Sequence, residues 1–232
     1  MRGQSYDNAA NMSGIYTGLQ ARIKAMNPLA YYVPCAGHSL NLVGTSAASS
    51  CLVSVSYFSF LQALYNFFSA STYRWDHLKA ALPAAGIVLK SLSDTRWSAR
   101  ADAVKAVFLH YHEIKSALEK ICSYSRQTVA TKLEGEGLRK QMESFETALL
   151  TVIWYKILTR FNATSLSLQK VETDLLSVVN PFESLISFIS EMRRRQFDEI
   201  EDQARTFAEP IYTDTTKRTK KREKNYLMNQ LG

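Results

Sequence analysis

Cysteine is scarce in this 232-residue chain: Cys35, Cys51 and Cys122 follow no regular spacing, and no secretory leader is expected ahead of them. A disulfide framework is therefore not expected, and a reducing compartment suits the chain better. Charge is missing altogether from residues 39–73, which hold no Asp, Glu, Lys or Arg. Inside that stretch, CLVSVSYFSFLQALYNFF at residues 51–68 has the length and apolarity of a membrane span. Ser56, Ser59, Gln62 and Asn66 nevertheless recur at helical spacing and give it a polar stripe. A buried or half-buried helix is the expectation, and no membrane partner. A phosphate-binding glycine loop is lacking too: GEG at residues 135–137 has no Lys-Ser/Thr after it and is read as a break between two helices. Neither a G-x-S-x-G elbow nor a cysteine–histidine arrangement supports a nucleophilic triad.

What is present suits a folded domain. Hydrophobic residues make up 46% and charged residues 21% of the chain, which excludes wholesale disorder. The formal net charge of +7 is unevenly spread, because Lys217, Arg218, Lys220, Lys221, Arg222 and Lys224 stand against only Asp214 and Glu223 in that region. The excess charge is a local basic segment. Electrostatics alone allow it to contact nucleic acid or serve as a nuclear-import signal, and equally to act as a solubilising end.

The first residues up to Asp7, then NAANMSG and the periodic Ile15, Leu19 and Ile23, predict the end of a strand, a turn, and a helix that stops near Asn27-Pro28. Residues 31–33 can form a second strand, with His38 and Leu42 opening a helix. One or two strands do not make a stable sheet by themselves. Thereafter the periodicity is helical. Val104, Val107, Phe108, Tyr111, Ile114, Leu118 and Ile121 repeat on one face, then Leu138 to Ile153, then Leu168 to Val178. Asn180-Pro181-Phe182-Glu183 reads as a helix start, and that last helix is expected to run through Leu185, Ile189, Met192 and Ile200 toward Ala208. Arg193, Arg194 and Arg195 lie inside it beside Asp198, Glu199, Glu201 and Asp202, so pairing along one solvated face is expected.

Few residues offer chemistry. Asp7, at a strand end and backed by Asn8 and Asn11, can face a metal or a phosphate. An Asx turn ahead of a helix explains it as well, and one carboxylate does not make a two-metal site. Cys35 and His38 form C-x-x-H, half a zinc site with no second half, or a buried cysteine and a hydrogen-bonded histidine. His110 and His112 are two apart and are read as solvated. Arg96-Trp97 sets a guanidinium beside an indole at a helix opening. Such a pair can hold a phosphate and stack a base, or Trp97 can plug the bundle while Arg96 pairs with Asp94.

Three ordered segments, RGQSYDNAANMSGIYTGLQARIKAMNPLAYYVPCAGHSLNLV, SDTRWSARADAV and FDEIEDQARTFAEP followed by a basic run, together resemble the hAT-type transposases. The similarity lies with the subgroup that includes zinc finger MYM-type proteins and the repressor of the inhibitor of a protein kinase, and it covers nearly the whole chain. The resemblance implies an RNase H-like sheet interrupted by a large helical insertion, and two aspartates and a glutamate that bind Mg2+ or Mn2+ for DNA strand transfer. It implies that Asp7 matches the second aspartate, Cys35 and His38 a signature just after it, and Arg96 and Trp97 an insertion-domain pair whose tryptophan holds a flipped base. The other two carboxylates have no match: Glu199, Glu201 and Glu209 carry no motif.

The resulting expectation is a mostly α fold, with a partial RNase H-like α/β segment at residues 1–50, a helical insertion-like domain at 51–210 and a basic flexible tail at 211–232. The chain is expected to be a catalytically incomplete central fragment, not an enzyme and without a cofactor of its own, that retains weak DNA binding through Arg96, Trp97, Lys217, Arg218, Lys220, Lys221 and Arg222. A nuclear location follows from that reading, or else a cytoplasmic one. Two other readings stay open: a helical module for a protein partner or self-association, and a strand-transferase subunit that needs further segments.

Overall fold

The computed structural model describes residues 2–93, 97–169 and 175–208. The chain opens with strand β1 (Gly3–Gln4), a one-turn helix α1 (Ala10–Ser13), helix α2 (Leu19–Met26) and strand β2 (Tyr31–Tyr32). The two strands pair in parallel, Gly3 beside Tyr31 and Gln4 beside Tyr32. Hydrogen bonds carry the pairing past the strand ends, since the amides of Tyr31, Val33 and Cys35 donate to the carbonyls of Arg2, Gln4 and Tyr6 at 3.4, 3.0 and 2.9 Å. The buried Gln4 side chain donates to the carbonyls of Gln20 and Ala30 at 3.1 and 3.0 Å, fastening α2 to this small open sheet.

Nine helices follow among the described residues: α3 (Ala36–Ser49), α4 (Leu52–Ser69), α5 (Thr72–Ala81), α6 (Trp97–Leu109), α7 (Tyr111–Ser123), α8 (Val129–Glu143), α9 (Phe145–Leu168), α10 (Leu175–Arg195) and α11 (Phe197–Phe207). The fold is mostly helical, with a small open two-stranded sheet and no clear RNase H-like α/β core. Helix α9 lies at the centre, packed against α3, α4, α6, α8, α10 and α11. Every residue from 147 to 154 is buried, so this stretch is enclosed on all sides. Helix α4 buries Tyr57, Phe58, Leu61, Leu64 and Phe68 and turns Ser56, Ser59 and Asn66 to the surface, the arrangement its polar stripe predicts. Among the described residues no single helix is long and apolar enough to cross a membrane.

Several element boundaries depart from the sequence expectation, each for a local reason. The repeat from Val104 to Ile121 breaks at His110, whose backbone leaves the helical region at φ −128° and ψ 35°. His110 is not solvated: it is 8% exposed, and its Nε2 accepts the Ile87 amide at 3.2 Å. The glycines of GEG do not break a helix but lie within α8. A Cβ on Gly135 would stand 2.7 Å from Cys122 Sγ and 3.0 Å from Phe67 Cζ, so the bare backbone lets α8 approach α7 and α4. Leu138 and Ile153 belong to different helices, parted at Ser144, whose hydroxyl caps α9 by accepting the Thr147 amide at 3.2 Å.

Pro181 is not at a helix start but inside α10. Leu185 and Met192 pin that helix in the core, and tertiary burial sustains it despite the missing amide. The final helix is two, divided at Gln196. The charges divide with it: Arg193, Arg194 and Arg195 end α10, while Asp198 and Glu199 begin α11, each sign at the terminus whose dipole favours it. The repeat from Leu168 to Val178 crosses residues 170–174, outside the described residues, as does the basic segment.

The two glycines of α8 give a matched test. Gly135→Ala should lower unfolding free energy by about 1–3 kcal/mol through overpacking. Gly137, with nothing within 4 Å of an added Cβ, should gain up to about 1 kcal/mol from the same change. Urea denaturation of both variants reads the sign; matching shifts would refute the close approach of α8.

Candidate functional site

Asp7 follows directly on the hydrogen-bonded run of β1, at the carboxyl end of the strand. Its Oδ1 accepts the Ala9 amide at 3.1 Å, which closes an Asx turn and launches α1. The Tyr32 hydroxyl donates to the Asp7 carbonyl at 3.4 Å, and Asn8 Nδ2 donates to Ser39 Oγ at 3.3 Å. The second contact ties the turn to the start of α3. Cys35 is the residue just before α3, placed there by the hydrogen bond its amide donates to the Tyr6 carbonyl, and His38 sits in the first turn; both are half-buried. The parallel pairing thus brings Asp7, Asn8 and the opening of α3 to one end of the small sheet.

That gathering is not a metal centre as it stands. Among the described residues no three His, Cys, Asp or Glu side chains lie close enough together to hold an ion. The Asp7 carboxylate is exposed and engaged with a backbone amide. The donor set of the described residues therefore does not fit the divalent-metal site that the resemblance implies. Cys122, away from this end, is no activated nucleophile: burial, followed by the nearby Glu136, pushes its thiol above the ordinary range.

Trp97 opens α6 and is 3% exposed. Its Nε1 donates to Thr45 Oγ1 at 2.9 Å. Its ring lies 5.3 Å from Phe161, 6.1 Å from Trp154 and 6.3 Å from Phe58 between centroids, and the Arg100 guanidinium is 5.1 Å from its centre. Gly44 makes room for it, since a Cβ there would stand 2.8 Å from the indole. At 3% exposure the indole offers no open surface, and a base can stack on Trp97 only after its surroundings have moved. Arg96, Lys217, Arg218, Lys220, Lys221 and Arg222 lie outside the described residues.

Sequence reading passed over Thr45 and Arg100. Arg100 stands three residues after Trp97, on the same face of a helix, and that spacing was a usable signal. Thr45 lies 52 residues away from Trp97, and nothing local in the sequence couples the two.

Thr45→Val keeps the shape and removes the acceptor of the buried indole N–H, so it should cost about 1–3 kcal/mol in urea unfolding. No change in stability would show that Trp97 is not anchored there. Neither a protein-family model, nor a curated protein, nor a solved structure matches this chain.

Proposed function

We propose that this chain is a hAT-type transposase-like protein that associates weakly with DNA and does not itself cleave it. The observation that carries the reading is the placement of Asp7 at the carboxyl end of β1, in a parallel pair whose crossover contains α2. In open parallel sheets, ligands and catalytic groups gather outside the carboxyl ends of the strands. In this reading residues 1–50 are part of an RNase H-like segment and the helices from α4 onward belong to the insertion. Asp7 is the one matched carboxylate of three. It cannot hold two divalent ions without others, because a single carboxylate supplies too few ligands and too little charge.

DNA association falls to the basic residues Lys217, Arg218, Lys220, Lys221 and Arg222, with Arg96 beside them in role. Trp97 contributes only at the cost of opening its aromatic surroundings, which keeps binding weak. A nuclear location is consistent with this assignment.

A second reading is favoured by a separate observation. Leu29 in the turn before β2, Tyr31 within it and Val33 just after it are 64%, 64% and 46% exposed. Parallel sheets are ordinarily covered on both faces, so this exposed apolar stretch supports association with a protein partner or a second copy.

Two measurements test the principal reading. Incubated with hairpin DNA and Mn2+ or Mg2+, the protein should nick no more than a metal-free control; nicking abolished by Asp7→Asn would establish an enzyme. In filter binding to single-stranded DNA, removal of residues 211–232 should weaken affinity. The salt dependence should flatten, by about 0.7 in log–log slope for each phosphate that is no longer neutralised. Affinity untouched by that deletion and by Trp97→Phe would sink the DNA assignment and leave the interaction module.

A further inference from the structure

Helix α10 carries two apolar seams side by side. The inner one, Leu185, Phe188 and Met192, packs against the core: Leu185 and Met192 are buried, and the Arg160 guanidinium of α9 lies 6.0 Å from the centre of the Phe188 ring. Arg160 also donates to the Ser184 hydroxyl. These contacts fix the rotation of α10 against α9, so the side chains beside the inner seam are held at the surface. The outer seam is Val179, Phe182, Ile186 and Ile189, at successive spacings of three, four and three residues. That alternation places the four along one line of a helix, the pattern by which two helices interlock their side chains. Val179, Ile186 and Ile189 are 49%, 64% and 39% exposed, and Phe182 is half-buried where the two seams meet. A single exposed isoleucine is ordinary, but large apolar side chains in register along one helix mark an interaction surface.

The charges of α10 say what fits on this face. Arg193 stands four residues after Ile189, where one more apolar residue would prolong the seam, and Arg194 follows it. Glu183 stands beside Phe182 toward the other end. All three are exposed, whereas Arg195 pairs with Glu191 of the same helix at 3.5 Å. Opposite charges therefore flank opposite ends of the seam, and the face is complementary to itself when two copies run antiparallel. With a two-fold axis between residues 187 and 188, Ile186 meets Ile189 of the second copy and Arg193 meets its Phe182. Glu183 comes within reach of Arg194 of the second copy, twice by symmetry. A guanidinium on an aromatic ring and an opposite-charge pair then close each end. Run parallel, the same helices would bring residues 193–195 of both copies together, six arginines at one end. The antiparallel arrangement also sets the two helix dipoles against each other favourably.

We propose that the outer seam of α10 is a homodimer interface, on which a second copy of this chain packs its own α10 antiparallel over Phe182, Ile186 and Ile189. One helix face is smaller than the roughly 800 Å2 per partner of a standard interface, so the dimer is weak and depends on protein concentration. This face is separate from the exposed stretch at residues 29–33. It does not rest on the transposase reading, since neither Asp7 nor Trp97 belongs to it.

Sedimentation equilibrium of the full chain over a series of concentrations tests the interface. A monomer–dimer equilibrium should appear with Kd of about 1 mM or below. Ile186→Glu should weaken it about tenfold or more, and because Ile186 is exposed in the monomer the helical circular-dichroism signal and thermal midpoint should be kept. Glu183→Arg and Arg194→Glu should each weaken the dimer about three- to tenfold, since each turns two symmetry-related attractions into repulsions. Combined in one chain, the two reversals restore opposite charges across the axis and should return the affinity to within about threefold of the original. That rescue is specific to the antiparallel pairing. A chain that stays monomeric up to about 1 mM, a dimer untouched by folded Ile186→Glu, or a double charge variant no tighter than either single one would each overturn the assignment.

Discussion

Helix α9 is enclosed on every side over residues 147–154, and the positions of its neighbours follow from what that enclosure requires. A helix with no solvent face has to satisfy its polar side chains from within, and here all but the buried Trp154 Nε1, which has no hydrogen-bond partner among the described residues, follow that rule. Thr151 does this twice: its hydroxyl donates to the Thr147 carbonyl at 2.8 Å and accepts the Tyr57 hydroxyl at 3.1 Å. The contact sets the rotation of α4 against α9, because Tyr57 reaches Thr151 from one position on α4 only. Burial in turn pushes the Tyr57 hydroxyl far above its ordinary range, which favours its neutral, donating form. Tyr111 behaves alike: burial raises its hydroxyl, which donates to the Met142 carbonyl at 2.5 Å and joins α7 to the end of α8.

Once α4 and α9 are set, the aromatic group around Trp97 has little freedom. Phe58 comes from α4, Trp154 and Phe161 from α9, and Thr45 and Gly44 from α3, so the indole reports the relative placement of three helices. A residue so enclosed is costly to expose. Arg100 shares the cluster, its guanidinium 4.7 Å from the centre of the Phe58 ring and 5.1 Å from that of Trp97. The other end of the chain rests on different physics. Two strands of two residues bury little apolar area, and there Gln4 supplies side-chain hydrogen bonds in place of a hydrophobic layer.

Much of the element pattern was legible. The strand before Asp7, the strand near Tyr31, the Asx turn and the half-buried helix at residues 51–68 all follow from local propensity and periodicity. The failures share a cause. Gly135 looked like a breaker because glycine is a poor helix former, but Cys122 and Phe67 occupy the space a side chain would need. Pro181 looked like a start because proline favours the first turn, yet Leu185 and Met192 bury the helix around it. His110 looked solvated because it stands off the apolar face, and it is the Ile87 amide, 23 residues back, that draws it inward. In each case tertiary packing outweighed a local preference, worth about 1 kcal/mol for the glycine and about 3 kcal/mol for the proline.

The sequence by itself determined which segments are apolar on one face, where charge is absent and where it accumulates, and the positions of Asp7, Cys35, His38 and Trp97 along the chain. It did so because periodicity and charge are properties of neighbouring residues. Only the tertiary structure decided that Trp97 is enclosed, that Asp7 gathers no further carboxylates among the described residues, and that Arg100 packs on the rings of Phe58 and Trp97. Those outcomes depend on which faces meet, and that is set by packing around α9, where side chains far apart in the chain compete for the same volume.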